Sequence, residues 1–547
     1  MNIYNKLQTL DFIVIGLYLL MLIVIGVVVS YRRRNEDDQF LGGRSFGWFN
    51  VGLSVFGTNV NPSFMIASAS AAYTVGMVVA NFEWLAWPFL MLLAMVFAPH
   101  YLNTKITTMP QFINKRFGPK AADFLSWYAL LTTMVLWLGG ALYLGGLLFS
   151  QIIGWQLSTS VLFLMVISTF LTVAGGLAVV MVTDSFQSIL MIIGSATMAI
   201  IGFYHIGGLQ KLLNAVPPEK WTLFRPMSNP DYPWHAILLG YPVMGVWFWC
   251  TDQTIVQRVL GARDLRQGQL GTVFTGFLKI ITPFIFVMPG FFCFILHPDI
   301  KPDSAFITMV GNYLPQGMKG LIIAVIIAAL ISTIDSGLNS FSTIFTLDIY
   351  KRKFHPKASD KHIKFAGRLV TIIIAIVSIG VALGLGKAGK NLFDLIQSLI
   401  SYFAPPMAAV FLVGVLWKRA TAKAATITLY VGTFASLTIG MLDIMKWPAP
   451  GFIYWPGWLI DLYFLPAAIH FLLRAFVLFG LICLFMMFVS VITKHSDTEC
   501  ILPSPLETYR KNQSQTKDVW LGWALLAVIM TGIYILFNWS IIKPLLN

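Results

Sequence analysis

Apolar residues fall along this chain in runs of about 18 or more, each long enough to cross a bilayer as a helix. Fourteen such runs predict fourteen transmembrane helices, at roughly 9 to 31, 49 to 73, 76 to 103, 119 to 150, 157 to 176, 177 to 204, 235 to 260, 267 to 296, 317 to 349, 365 to 386, 391 to 416, 420 to 442, 466 to 493 and 518 to 540. The polar segments between them are short, apart from 209–232, 298–316 and 494–518, so no extramembrane domain is expected. Met109 to Phe117 (MPQFINKRF) mixes apolar and basic positions and reads as a short helix on the inner membrane face. The aromatic stretch from Trp455 to Trp458 reads as an interfacial loop.

The second run breaks its own pattern. From Leu53 to Phe64 it reads LSVFGTNVNPSF: Gly57 is flexible, Thr58 and Asn59 compete for backbone hydrogen bonds, and Asn61 precedes Pro62, which has no N–H. Open carbonyls at membrane depth are tolerated only where protein buries them or where they line a polar cavity, as at transporter ion sites. A proline kink relieved by a neighbouring helix is the alternative. The seventh run carries a second candidate break at Leu239-Gly240-Tyr241-Pro242, followed by Gly245. The broken spans stand five apart, so spans 2 to 6 and 7 to 11 read as two inverted five-helix units. The expected organisation is therefore an extra helix and inner loop (1–48), a first repeat (49–204), an outward loop (205–234), a second repeat (235–416) and three peripheral helices (417–547).

Composition agrees with that reading. The 547 residues are 57% hydrophobic and 11% charged, with a mean hydropathy of +0.77, which marks an all-α polytopic membrane protein. The formal charge of +14 follows topology, because about two-thirds of the 37 Lys and Arg fall on alternate ends that become inward if the N-terminus is outside. An even span number then places the C-terminus outside too, in a plasma or bacterial inner membrane, and no nucleic-acid partner is needed. The first run has arginines after it and no small-residue cleavage site, so it reads as an anchor and not a cleaved signal. Cys250, Cys293, Cys483 and Cys500 have neither metal spacing nor a disulfide pattern. Asn538-Trp539-Ser540 fits a glycosylation sequon, but lies too near the last span for modification to be expected. Gly384 to Lys390 imitates a phosphate-binding loop, yet no strand precedes it, and Asn391 stands where a metal-binding Ser or Thr belongs. No other enzyme motif is present, and the chain is not expected to be an enzyme.

Ionisable residues inside spans mark candidate sites because burial in hydrocarbon is costly unless they are paired or hydrated. They are Glu83, Asp184, Asp252, Lys279 and Asp335, with Lys279 the one cation placed in mid-membrane; structural pairing of two helices is the alternative for each. In span 9, Ala329, Ser332 and Ser336 share a helical face, flanked by Thr333 and Asp335. Hydroxyls, a carbonyl and a carboxylate so grouped suit a hard monovalent cation if this face meets the opened carbonyls of Gly57 and Val60. Ser and Thr used as helix-packing glue are the alternative.

Several stretches together resemble the sodium/solute symporter family, particularly its sodium/glucose cotransporter branch. They include FLGGRS (Phe40 to Ser45), NFEW (Asn81 to Trp84), MPQFINKRF, LYLGG (Leu142 to Gly146), GGLAVVMVTDSFQ (Gly175 to Gln187) and WFWCTDQTIVQRVLGAR (Trp247 to Arg263). FLK (Phe277 to Lys279), LNSFSTIFTLDIY (Leu338 to Tyr350) and FDLIQSLISYFAPPMAAVFLVGVLWKR (Phe393 to Arg419) complete the set. The resemblance spans roughly 8 to 440. It implies a leucine-transporter-type inverted five-helix repeat, with one helix before the core and three after. It also implies that Na+ acts as cofactor to a symporter working by alternating access, with a small sugar-like solute as partner and a functional monomer.

Carried across by position, the resemblance puts the sodium site on the carbonyls of Gly57, Val60 and Ala329 and the hydroxyls of Ser332 and Thr333. Its sugar-contacting positions fall on Glu83, Lys279 and Gln397, and Trp249 resembles the aromatic neighbour of the inner gate. Asp184, Asp335 and Ser336 fall where some relatives hold a second cation. Three positions depart from the sugar branch: Phe64 replaces a His or Gln, Phe248 replaces a gate Tyr, and Gly245 replaces an Asn or Thr. Each loses a hydrogen-bonding group, so a deoxy, amino or acetylated sugar, or a polyol, fits better than glucose. The alternative within the class is a Na+- or H+-coupled symporter for a polyol, amino acid, carboxylate or vitamin. A membrane sensor or channel is the reading from another class; the dedicated cation face favours occlusion over open conduction.

Overall fold

The computed structural model describes residues 7–32, 40–60, 62–229, 231–387, 392–444, 470–494 and 517–537, without the side chains of Pro62, Ser63, Gln151, Asp303, 386–398 and 442–444. Among them, eleven helical stretches are long and apolar enough to cross a membrane. One of these, Leu157–Ile206, runs for 50 residues and is two spans joined at Gly176, whose φ of 55° and ψ of −145° only glycine adopts readily. The bend frees the carbonyl of Ala174, which accepts from Ser30 Oγ at 2.7 Å. With the two broken spans added, the predicted fourteen are accounted for. The Trp455 loop, Cys500 and the Asn538 sequon lie outside the described residues.

We label the elements that build the site α1 (Thr9–Arg32), α2 (Trp48–Asn59), α3 (Pro62–Thr74), α4 (Leu157–Ile206), α5 (Trp234–Gly245), α6 (Gln253–Leu260), α7 (Leu265–Phe286), α8 (Met318–Ile344) and α9 (Leu392–Leu416). Helix α8 is almost wholly buried, and its pairing with α4 is the most extensive helix contact among the described residues. Helix α1 packs along both, and Asp11 Oδ1 accepts from the N–H groups of Gly317 and Gly320 at 2.8 Å each, capping the start of α8. The lipid-facing flank of α1 keeps Ile13, Leu17, Leu20 and Val24 exposed, as a helix against hydrocarbon should.

The first break stands where the sequence places it. Helix α2 ends at Asn59, Val60 is extended (φ −79°, ψ 104°), and α3 restarts at Pro62, which has no N–H to offer the Thr58 carbonyl. The second break lies elsewhere than expected. Helix α5 passes through Pro242 and widens into a π-helical turn at Val246–Thr251; the chain then opens at Asp252 (φ −72°, ψ 129°). The cause is local: the Asp252 carboxylate accepts from Thr254 N at 2.8 Å and from Thr254 Oγ1, capping α6.

Met109–Phe117 is the predicted short helix, capped by Thr108. Its Arg116, however, is buried, donating to the carbonyls of Gly414 and Ala420 at 3.1 Å at the end of α9. Gly384 to Lys387 forms the last turn of a membrane helix, Asp360–Lys387, and not a phosphate loop. In the segment between α4 and α5, Lys220 Nζ donates to the carbonyls of Tyr73 and Thr74 at 2.7 Å each, and Arg225 donates to Val75, so two cations close the C-terminus of α3. Burial, then the neighbouring Arg225 charge, holds Lys220 below the ordinary lysine range.

Candidate functional site

Broken helix α2–α3 lies against α4 and α8. Gly57 makes the approach possible: a Cβ there would stand 2.5 Å from Ser188 Oγ and 3.5 Å from Ser332 Oγ. Ser188 itself donates to the Leu53 carbonyl at 2.7 Å. Thus the backbone turn that frees carbonyls faces the hydroxyl-bearing side of α8. Both expected cation-binding hydroxyls send their protons elsewhere: Ser332 Oγ donates to Asp184 Oδ1 at 2.6 Å, and Thr333 Oγ1 to the Ala329 carbonyl at 2.9 Å. Their lone pairs therefore stay available, which is what an oxygen ligand to a cation requires. The set of Gly57, Val60, Ala329, Ser332 and Thr333 fits Na+ in chemistry.

Beside it lies a buried ionic knot. Asp184 Oδ2 accepts from Ser54 Oγ at 2.7 Å and stands 3.6 Å from Arg258 Nη2, both side chains being fully buried. Arg258 also donates to Ser336 Oγ, which lies 3.2 Å from Thr58 Oγ1. Two of the three residues expected at a second cation site, Asp184 and Ser336, are thus already joined by a guanidinium. The third, Asp335, is fully buried, with Ser168 beside its carboxylate. Lys279 is consequently not alone among mid-membrane cations. Arg258 lies in the last turn of its span, where a positive residue ordinarily reports topology, so its sequence position hides this pairing.

The second cluster lies one residue from the first break. Lys279 Nζ, on α7, pairs with Glu83 Oε2 at 2.5 Å and donates to the side-chain carbonyl of Asn59, the last residue of α2. It also stands 5.4 Å from the Trp249 ring centroid and 5.7 Å from that of Phe56. Trp84 Nε1 donates to the Ile280 carbonyl at 3.1 Å, fixing the Glu83 turn against α7. An ammonium has three protons, and these contacts use two. Asn59 was not expected at the site; its neighbour Val60, a proposed cation ligand, is the signal that could have found it.

One wall of this region is apolar. Phe248 in the π-turn packs edge-on to Trp249 (centroids 4.8 Å) and against Trp137 (5.5 Å), whose Nε1 donates to Asp252 Oδ2 at 3.1 Å. A Cβ on Gly245 would meet the Phe89 ring at 2.6–2.9 Å, so Phe89 fills the volume that a side chain at 245 would take. Phe64 is half-buried on α3, just past the break. The Gln397 side chain lies outside the described residues. Gly245→Ala should lower stability by about 1–3 kcal/mol through overpacking, read as a fall in melting temperature, with Phe89→Leu in the same chain restoring most of it. An unchanged melting temperature in the single variant would mean that Phe89 does not hold that space.

Comparison with known proteins follows the same lines. The sequence model of the sodium:solute symporter family matches residues 39–432. The chain is 33% identical over 478 residues to sodium/glucose cotransporter 4 of Mus musculus, covering 80% of this chain and 69% of that protein. It is 32% identical over 531 residues to sodium/glucose cotransporter 1 of Oryctolagus cuniculus, covering 88% and 79%. It is also 32% identical over 485 residues to a sodium/mannose cotransporter of Bos taurus, covering 82% and 81%. Among solved structures, a substrate-bound, outward-open Na+-coupled sialic acid symporter superposes with a TM-score of 0.77 at 22% identity, covering 90% of this chain and 99% of that one. A nucleobase-cation-symport-1 family transporter superposes at 0.54 and 14% identity over 83% and 95%. At these identities the two structures speak to the fold, which is that of leucine-transporter-type carriers.

Proposed function

The chain belongs to the sodium:solute symporter family, and from that premise we propose that it imports a sugar or sugar-like solute, driven by Na+, through alternating access. As a member of a Na+-coupled symporter family it is a transporter and not an enzyme, so Na+ is a co-substrate and not a cofactor. The observation that carries the solute reading is the Lys279 ammonium, held between Glu83 and Asn59 with a proton to spare. Neutral paired groups of this kind bind hydroxyls directionally without demanding a charged ligand. Because Glu83 already neutralises Lys279, a free carboxylate on the solute finds no unpaired cation there.

Phe64, Phe248 and the Phe89-filled space at Gly245 support a solute with one hydroxylated edge and one apolar or substituted edge, such as a deoxy or acetylated sugar or a polyol. Relatives named for glucose and mannose transport support a sugar as the class. Gln397, carried over by resemblance, completes the polar side. Sodium at Gly57, Val60, Ala329, Ser332 and Thr333 would hold the break of α2–α3 against α8. Asn59 ties that same break to Lys279, so ion and solute stabilise one conformation in common.

A second cation is also part of this reading. Near Arg258 lie three buried carboxylates, Asp184, Asp252 and Asp335, and unpaired charge at this depth is costly. The first Na+ and Arg258 offset two of the three. The two repeats, 49–204 and 235–416, would rock against each other, with both termini outside and the monomer as the working unit. One Na+ crossing about 100 mV supplies about 2.3 kcal/mol, and a tenfold gradient adds about 1.4.

The test is thermal stability of the purified protein in Na+, K+ or choline, across hexoses, deoxy and acetylated amino sugars, inositols and small carboxylates. A ligand that binds only the folded state raises the melting temperature. One sugar or polyol should do so only with Na+ present. Stabilisation by a carboxylate or amino acid alone would replace the sugar reading, and no solute response to Na+ would remove the coupled site.

A further inference from the structure

Past its buried length, α8 runs on through the π-helical stretch Phe345–Phe354 and a short connection into the membrane helix Asp360–Lys387. From Lys351 to Arg368 the chain carries seven Lys and Arg and one acidic residue, Asp360. Asp123, on the helix Pro119–Thr132, adds a second carboxylate. Arg352 Nη2 takes one of its oxygens at 2.5 Å and Lys353 Nζ the other at 3.1 Å, while Lys351 Nζ stands 3.9 Å from Asp360. Lys357 and Lys361 are both exposed, and among the described residues neither has a carboxylate partner. Beside them the surface turns apolar. Phe354 and Phe365 are 66% and 65% exposed. Lys361, Phe365, Leu369, Ile372 and Ile376 fall within about 80° of one another round their helix, and the four apolar residues are all exposed. Exposed aromatic and basic side chains together mark the headgroup level of a membrane, and the aliphatic stripe runs on from there into the hydrocarbon.

We propose that this corner seats one anionic phospholipid, with its phosphate at Lys357 and Lys361 and an acyl chain along Phe365, Leu369, Ile372 and Ile376. Positive charge at the end of a span also sets topology, but topology asks only for charge close to the membrane. Here Lys351, Arg352 and Lys353 engage both local carboxylates, so the charge that remains is concentrated on two lysines at the head of one apolar stripe. A single amphiphile matches that surface, with an anion at one end and hydrocarbon at the other. A zwitterionic lipid brings its own cation to the same place and gains less. A soluble acidic peptide matches the lysines but has nothing to lay along Phe365 and Ile376 at membrane depth. The lipid would brace the end of α8, already held by Asp123, against the helix that follows. The proposal depends on neither the sodium site nor the identity of the solute.

The experiment is equilibrium binding of dioleoylphosphatidylglycerol and dioleoylphosphatidylcholine to the purified full-length chain in a neutral detergent, read as lipid adducts by native mass spectrometry. Phosphatidylglycerol should bind about 30-fold more tightly, and Lys357→Gln with Lys361→Gln should remove most of that preference. Lys357→Arg with Lys361→Arg should retain it. Taking the same charge from elsewhere, by Lys211→Gln with Lys301→Gln, should leave it intact. Glycerol 3-phosphate, a headgroup without chains, should bind far more weakly than phosphatidylglycerol. Equal binding of the two lipids overturns the proposal. So does a preference that falls as far in the Lys211 and Lys301 pair as in the Lys357 and Lys361 pair, which would be attraction by total charge. Glycerol 3-phosphate bound as tightly as phosphatidylglycerol would make the corner a plain anion site and overturn the lipid. A polyglutamate peptide held by the same two lysines, with no preference between lipids, would put an acidic protein partner there instead.

Discussion

Ser332→Ala should raise the Na+ concentration for half-maximal uptake by about 100-fold and remove the stabilisation of the purified protein by Na+. Two losses combine. The variant lacks one of five proposed oxygen ligands, and Asp184 Oδ1 loses the hydroxyl that donates to it at 2.6 Å. A buried polar group left unmatched costs about 1–3 kcal/mol, more for a charged one, and each 1.4 kcal/mol is about tenfold in affinity. Ser332→Thr keeps the hydroxyl and should retain most of the Na+ response, separating ligation from simple repacking. Uptake by Ser332→Ala with an unaltered Na+ dependence would show that the ion binds somewhere other than the α2–α8 junction.

Much of this arrangement was legible in the sequence, because a bilayer restricts what a chain can do. Span lengths follow from membrane thickness, so all fourteen runs correspond to helices, broken helices or, for Leu157–Ile206, two spans bent at Gly176. The first break was legible because Asn61-Pro62 leaves the Thr58 carbonyl no partner. The second lies away from Pro242 because α5 accommodates that proline, while the Asp252 cap starts a new helix. Asp252 with Thr254 two residues on is a readable capping pattern, and it decides where α6 begins. The hydroxyl face of α8 was visible as periodicity. What could not be read was pairing across distance: that Arg258 turns inward onto Asp184, that Lys279 chooses Glu83 and Asn59, or that Phe89 occupies the place of a side chain at Gly245. Those depend on which helices meet, and periodicity within one helix is silent about that.

Arg258→Met should be among the most damaging substitutions in the chain, at about 3–5 kcal/mol, because it strands the Asp184 carboxylate in a fully buried position. The size of the loss says little about what the pair contributes, since removing both charges together is often close to neutral. Arg258→Met with Asp184→Asn should therefore recover most of the stability, read from unfolding in mixed detergent micelles, and the cycle should give a coupling of several kcal/mol. Recovery of Na+ coupling should not follow. An amide at 184 keeps one acceptor oxygen, for Ser332 or for Ser54 but not both in place; it no longer places a negative charge beside the cation, and α6 is no longer tied by Arg258 to α4 and α8. The double variant is thus expected to fold, to bind Na+ weakly, and to transport poorly. If Arg258→Met alone costs less than about 1 kcal/mol, the guanidinium is not compensating a buried charge, and the knot between α4, α6 and α8 is not what holds the second half of the broken seventh span in place.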